Sequence, residues 1–239
     1  MTMELFEQRL ATYLGPDGAP PVKHVFTMLT ELLCEAPPRS ALDVGCASGD
    51  LLAHLKRTFP GCRLVGVDTS EPLLEAAAAR PELADATLVR GDGLGYRGEP
   101  VDLVTCFGVL GIYDEFEPVM EALLSNRAAG GRLVVHALFN PDDIDVRVLY
   151  RDNAYSDSWQ RGFNVFSRAR ILSWLDERRL QGSFHDVVLP LDLPKRPHQP
   201  HRAHTIRLED GVRRTTNGLC QLLPEALLVV QDRTSASAA

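Results

Sequence analysis

The chain has 239 residues, 45% hydrophobic, 24% charged and 7% aromatic, which excludes a disordered or fibrous polypeptide and fits one α/β domain with an accessory element. Lys and Arg number 25 against 32 Asp and Glu, and the formal charge of −7 argues against broad electrostatic binding to nucleic acid or an anionic membrane. No apolar run approaches the roughly 18 residues of a membrane span, and MTMELFEQRL lacks the basic-then-apolar order of a signal peptide, so a cytoplasmic protein is expected. Five cysteines, at 34, 46, 62, 106 and 220, make no C-x-x-C pair. They suit reduced thiols, and no structural metal is expected from them.

A short helical stretch around Leu5 to Tyr13 is followed by the breaker Gly15-Pro16-Asp17-Gly18. Val22, Val25, Phe26, Leu29, Leu32 and Leu33 then recur at three- and four-residue steps, the face of a second helix. After Pro37-Pro38 the period changes. Ala41–Cys46, Arg63–Asp68, Thr87–Arg90, Val101–Cys106 and Arg132–Leu138 read as strands, and 49–58, 71–79 and 116–127 as the helices between them. Thr69 or Ser70 can cap the helix with Pro72 in its first turn, and Gly130-Gly131 can end the third. Such alternation requires crossovers between parallel strands, and so a doubly wound sheet with helices on both faces. A polar loop over 141–162 leads to a helix from about Ser167 to Leu180. Phe184–Leu191 and Ala226–Gln231 read as two more strands, and between them His204–Leu208 and Val212–Thr216 flank Glu209-Asp210-Gly211 as a hairpin.

Ala41-Leu42-Asp43-Val44-Gly45-Cys46-Ala47-Ser48-Gly49-Asp50 carries the first chemistry. A buried strand ends in a small-residue turn that opens a helix, so backbone amides can approach a ligand closely. Asp68 ends the next strand 23 residues after Gly45, where an acid can accept from both hydroxyls of a ribose. A nucleoside-containing cofactor is therefore expected at the carboxyl edge of the sheet. The glycines stand as Gly45-x-x-x-Gly49 and not as G-x-G-x-x-G, and Asp43 precedes them. A carboxylate there would repel a pyrophosphate but pair with the α-ammonium of an amino-acid cofactor, which disfavours an NAD-dependent reductase.

This arrangement resembles motif I of the class I S-adenosylmethionine-dependent methyltransferases, and the resemblance continues in order from about Ser40 to Asn140. It implies S-adenosylmethionine as cofactor and S-adenosylhomocysteine as product, on a mostly parallel seven-stranded sheet whose last strand is antiparallel. Asp43, Gly45, Cys46, Ala47 and Gly49 would hold the methionyl part, and Asp68 with Thr69 the ribose. Arg90-Gly91-Asp92-Gly93-Leu94 is similar to the segment in which an Asp takes the adenine amino group, so Asp92, Gly93 and Leu94 would flank the base. Val101–Cys106 running into Phe107-Gly108-Val109-Leu110 looks like motif IV, which puts Phe107 beside the transferred methyl. Ala47 stands where the family has its middle glycine, so the turn is expected to adopt a backbone that an ordinary residue holds easily.

The implied organisation is an N-terminal helical lid over 1–38 and a methyltransferase domain over 39–233, with a disordered tail at 234–239. Within that domain, 39–140 would serve the cofactor, and insertions 141–166 and 193–222 would shape the acceptor site. Motif IV lacks the Asp/Asn-Pro-Pro-aromatic and Pro-Cys signatures of nucleobase enzymes, so a small molecule is the expected acceptor, methylated at oxygen or nitrogen, with a sugar or specialised metabolite as the class. The alternative is a non-catalytic cofactor binder or partner subunit. The oligomeric state stays open, a homodimer included.

Tyr113 and His136 are the candidate proton acceptors, although a histidine inside a buried strand also suits the core. Cys106 reads as a small core residue. Tyr13 and His24 from the lid and Trp159 and Phe163 from the first insertion are candidate acceptor contacts. Residues 195–214 hold six Lys and Arg against two acids, a local charge of +4. Arg207 and Arg214 could there offer guanidinium forks to an anionic acceptor. His198, His201 and His204 stand at three-residue steps in a proline-broken loop, a poor metal site.

Overall fold

The computed structural model describes residues 23–153, 157–195, 203–219 and 221–233. Tyr13, the 1–22 part of the expected lid, His198, His201, Cys220 and the 234–239 tail lie outside the described residues.

Helix α1 (His24–Leu33) precedes strand β1 (Ser40–Val44). The chain then alternates through α2 (Asp50–Thr58), β2 (Arg63–Asp68), α3 (Glu71–Ala78), β3 (Thr87–Arg90), β4 (Val101–Phe107), α4 (Glu117–Leu124) and β5 (Arg127–Asn140). Beyond Asn140 come the short strands β6 (Leu149–Tyr150), β7 (Gln160–Arg161) and β8 (Phe166–Ser167), then α5 (Arg168–Glu177), β9 (Leu180–Asp186), β10 (His204–Arg207), β11 (Arg213–Thr216) and β12 (Glu225–Asp232).

The main sheet runs β3-β2-β1-β4-β5-β12-β9, with β8 paired to β5 off this path. Strands β1 to β5 pair in parallel, and β12 lies antiparallel between β5 and β9. This is the doubly wound, mostly parallel sheet with an antiparallel last strand that the sequence implies. Parallel strands covered on both faces are buried at successive positions and mostly apolar: in β1 Ala41, Leu42, Asp43 and Val44 are all buried, and Asp43 is the one polar residue among them. Their side chains alternate between two cores. Leu42, Val44, Val65 and Val67 pack with Met120 and Leu123 of α4 and Ile171 and Trp174 of α5. Ala41 and Leu64 pack with Phe26, Leu29 and Leu33 of α1, Leu52 and Leu55 of α2, and Leu74 and Ala77 of α3. Each such Leu stabilises the fold by about 1.5–3 kcal/mol through burial.

Several local expectations shift. Helix α4 stops at Leu124, capped by Ser125, and Gly130-Gly131 lies within β5, where the β4–β5 register slips between Val101 and Leu103. The polar 141–162 segment contains the β6–β7 hairpin. Strand β9 begins at Leu180, four residues before the expected Phe184, directly after Arg179 turns the chain at φ 59°. Ser70 stands at the N-cap of α3 without a side-chain capping bond, whereas Ser167 caps α5 by accepting from Arg170 N–H at 3.1 Å. No helix among the described residues is long and apolar enough to cross a membrane.

Strand order reverses between β1 and β4, and in an open α/β sheet the crevice at that point, at the carboxyl ends of the strands, is where ligands bind. The chemistry-bearing turns open there.

Candidate active site

Beyond Val44 the chain turns through Gly45 at φ 79°, Ala47 at φ 46° and Gly49 at φ 76°. A Cβ added at Gly45 would come within 2.3 Å of Val109 Cγ2, so this position needs glycine for space as well as for φ. Ala47 corrects the expectation of an easy backbone: it occupies the left-handed region that glycine would hold without penalty. Its amide explains what holds it there, donating to Asp68 Oδ2 at 2.8 Å. The Ser70 amide donates to Asp68 Oδ1 at 2.9 Å, and the Gly45 and Cys46 amides both donate to the Val67 carbonyl. Turn and β2 terminus are thereby fixed to each other.

Asp43 is 3% exposed and accepts a hydrogen bond from Thr105 Oγ1 at 2.8 Å. Burial pushes its carboxyl up to about 7, the Thr105 bond works against that, and the negative charge of Asp68 adds to it. Asp92 follows β3, its Oδ1 accepting from the Leu94 amide at 3.0 Å and from the Tyr113 hydroxyl at 3.4 Å. Gly93 passes so close to β1 that a Cβ would sit 2.2 Å from Val44 Cγ1. Burial also raises the Cys46 and Cys106 thiols far above their ordinary range, so neither is a ready thiolate.

A cleft of about 210 Å³ opens over this turn, lined by Asp43, Gly45, Cys46, Ala47, Ser48 and Asp50, with Lys23 and Phe26 from the α1 side and Phe107, Gly108 and His136 from β4 and β5. A second, largely apolar hollow of about 240 Å³ adjoins it. Its walls include Gly111, Tyr150, Gly162 and Phe163 on one side and Ala203, Asn217, Leu219 and Gln221 on the other, with Glu225 at the start of β12. Gly108 and His136 line both spaces.

His136 and Glu225 lie on one face of the β5–β12 pair, where Glu225 faces Leu138 and Leu227 faces His136. The Nε2 atom of His136 is 3.3 Å from Glu225 Oε2, inside ion-pair range, but it is not in line for a hydrogen bond. Phe107 packs on the imidazole with ring centres 5.5 Å apart, and Phe26 of α1 packs on Phe107 at 6.2 Å.

The remaining candidates are placed less centrally. Thr69 is exposed at the β2 terminus, and His24 is half-buried at the start of α1; neither lines either hollow. Tyr113 also lines neither, and burial together with Asp92 pushes its phenol up to about 12. Phe163 reaches the second hollow, but Trp159 is 68% exposed with Arg151 over its ring.

The hairpin guanidiniums do not face either hollow. Arg207 and Arg213 pair with Asp192, just ahead of the insertion, and Arg214 pairs with Asp210 inside it at 2.7 Å, so nearby acids engage them. Sequence reasoning missed Lys23, Asn217, Gln221 and Glu225. None sits in a motif, and only the register of β12 against β5 could have pointed to Glu225.

A donor-rich amino acid joined to a nucleoside suits this cleft, because buried Asp43 lines it, half-buried Asp68 adjoins it through the Ala47 amide, and the Gly45 turn permits close approach. A methyltransferase-domain family profile matches residues 22–181. The chain belongs to that family. It is a class I S-adenosylmethionine-dependent methyltransferase, and the family implies a small-molecule acceptor. It is 29% identical over 196 residues to trans-aconitate 2-methyltransferase of Methylobacterium radiotolerans, an alignment spanning 77% of this chain and 72% of that protein. With the Yersinia pestis enzyme of the same name it shares 30% identity over 156 residues, 64% of this chain and 57% of that one. Among solved structures it resembles magnesium protoporphyrin IX methyltransferase from Synechocystis with bound S-adenosylmethionine, at TM-score 0.58 and 15% identity, covering 95% of this chain and 91% of that one. That level of identity speaks for the fold alone.

Proposed function

We propose that this methyltransferase transfers its methyl group to an oxygen or nitrogen of a small molecule seated in the hollow beyond His136. The observation that carries the reading is the shared wall: Gly108 and His136 border both the cleft over the Gly45 turn and the adjoining apolar hollow. S-adenosylmethionine supplies a methyl already activated on a sulfonium sulfur. The protein has to hold a nucleophile in line with that methyl and keep water out.

In this reading Asp43 takes the α-ammonium, with Gly45, Cys46, Ala47 and Gly49 forming the turn beneath it. Asp68 and Thr69 stand at the ribose, Asp92, Gly93 and Leu94 at the base, and Phe107 beside the reacting carbon. The acceptor's O–H or N–H faces His136. In the transfer the acceptor's proton would pass to the His136 imidazole, beside which Glu225 stands, while the cofactor would supply the methyl group and leave as the neutral thioether. Tyr113 is a weaker candidate for this step, because its raised phenol does not deprotonate readily near neutrality. In this reading 39–140 serves mainly the cofactor, joined by Lys23 and Phe26 of the preceding segment, while Tyr150, Gly162 and Phe163 from one insertion and Asn217, Leu219 and Gln221 from the other wall the acceptor together with Gly111. A specialised metabolite with an apolar body suits such walls better than a bare sugar, whose hydroxyls would lose hydration there.

A carboxylate oxygen as the methylated atom is the second reading, favoured by relatives named for trans-aconitate. Acceptor-dependent formation of S-adenosylhomocysteine, screened over polycarboxylates, phenols and sugars, separates the two. Leu219→Trp should abolish turnover of whichever acceptor works while S-adenosylhomocysteine still binds. Full turnover in that variant would remove the hollow as the acceptor site.

A further inference from the structure

The cleft over the Gly45 turn is acidic. Its lining includes Asp43 and Asp50, and Asp68 adjoins it through the Ala47 amide. An amino-acid cofactor brings a carboxylate as well as an ammonium, and a carboxylate entering such a place needs a cation to offset the repulsion and its lost hydration. Among the described residues that line the cleft, Lys23 is the one Lys or Arg.

Lys23 occupies the N-cap of α1, its carbonyl accepting from the Phe26 amide at 2.8 Å. Its ammonium lies 5.3 Å from the Phe26 ring centre and 3.4 Å from Asp50 Oδ2, with the side chain 49% exposed. Asp50 does not depend on it. Arg80 Nη1 donates to Asp50 Oδ1 at 2.7 Å and to the Ser48 carbonyl at 3.1 Å, so Asp50 already has a closer cationic partner. Lys23 is therefore a half-exposed cation on a four-carbon stem, at the rim of an acidic cleft, loosely held by an acid that another residue satisfies.

We propose that Lys23 binds the α-carboxylate of the cofactor's methionyl end, opposite Asp43, so that the two residues read the zwitterion from its two sides. The assignment rests on the proposed placing of that end over Asp43. It gives α1 a binding duty: Phe26, three residues on, packs against Phe107, so the cation that meets the carboxylate is anchored to the same aromatic layer that borders the reacting carbon.

The test is calorimetric and needs no acceptor. S-adenosylhomocysteine and its decarboxylated analogue, S-adenosyl-3-thiopropylamine, are titrated into wild type, Lys23→Met, Lys23→Arg and Asp43→Asn, each first shown to be folded by a cooperative melt above the titration temperature. Lys23→Met should weaken S-adenosylhomocysteine by about tenfold or more, the loss of one charge-assisted contact, and leave the decarboxylated analogue within about twofold. Lys23→Arg should recover most of the affinity. Equal losses for both ligands, or S-adenosylhomocysteine affinity within about twofold of wild type in Lys23→Met, would overturn the assignment while leaving the cofactor placing intact. Unchanged binding of both ligands in Asp43→Asn would overturn the placing and the assignment together.

Discussion

Thr105 reaches across the β1–β4 pair to donate its hydroxyl proton to the buried Asp43 carboxylate at 2.8 Å. That bond steadies an ionised group in a place that otherwise disfavours it, and burial still wins, leaving Asp43 near 7. The carboxylate must be charged to meet an ammonium. Affinity for S-adenosylhomocysteine should therefore rise about tenfold between pH 6 and pH 8 and flatten above, with proton release on binding near pH 7. Titrations in buffers of different ionisation enthalpy measure that release, and Asp43→Asn should abolish it.

The same group sets a trend in the free protein. Its folded pKa lies above its unfolded value, so between about pH 4 and pH 7 the folded state holds more protons than the unfolded one. The stability from this group is complete below that window and is lost as pH rises through it. Denaturant melts of the cofactor-free protein should show the loss, and Asp43→Asn should flatten it.

Ala47 holds φ 46° with its amide bound to Asp68. A left-handed alanine costs about 1–2 kcal/mol, and glycine returns part of that through its freer unfolded chain. Ala47→Gly should stabilise the protein by about 0.5–1 kcal/mol, read as a higher Tm, with the Asp68 contact retained. A lower Tm would mean that the turn is shaped by something other than its φ requirement.

His136 and Glu225 make a graded pair of predictions. If the imidazole takes the acceptor's proton, His136→Ala should cost about a hundredfold or more in kcat. Affinity for S-adenosylhomocysteine should stay within about threefold. Glu225→Gln keeps shape and removes charge, and should cost about tenfold in kcat with a smaller change in acceptor KM. A loss confined to KM would recast both as binding residues.

Arg170 of α5 gathers Asp145, Glu115 and Glu117 and lies over the Phe116 ring at 4.9 Å. It joins the segment after β5 to α4, and its removal leaves Asp145 and Glu117 without it while Glu115 keeps Arg147 as a partner. With its side chain 38% exposed, screening limits the effect, and Arg170→Met should destabilise by about 1–2 kcal/mol. The penalty should shrink in high salt, which denaturant melts at two ionic strengths would check.

The central sheet was readable because buried parallel strands leave continuous apolar runs: Arg63–Asp68, buried from Leu64 to Val67, matches the observed strand end to end, and the half-exposed edge strand Thr87–Arg90 is matched as well through its β-rich composition. Motif spacing likewise brought Asp43 and Asp68 to one edge. What the sequence concealed is short or relational. Strands β6 and β7 have two residues each and an exposed side, so no alternation announces them. Lys23, Asn217 and Gln221 are ordinary polar residues until tertiary contacts bring them to a cleft. The basic stretch 195–214 was visible as charge, but its direction was not: the local acids Asp192 and Asp210 engage Arg207 and Arg214 away from the two hollows.

Among the described residues, only Gly108 and His136 belong to both hollows; Gly111, Ala137 and Leu138 add to the acceptor wall from the β4 and β5 ends, and most of the rest of that wall comes from the two insertions. The insertion-borne part of the acceptor wall can therefore vary without disturbing the Gly45 turn. Grafting the 141–166 and 193–222 segments onto another sheet of this kind would carry the choice of acceptor with them, provided that the recipient keeps a glycine and an imidazole at the partition.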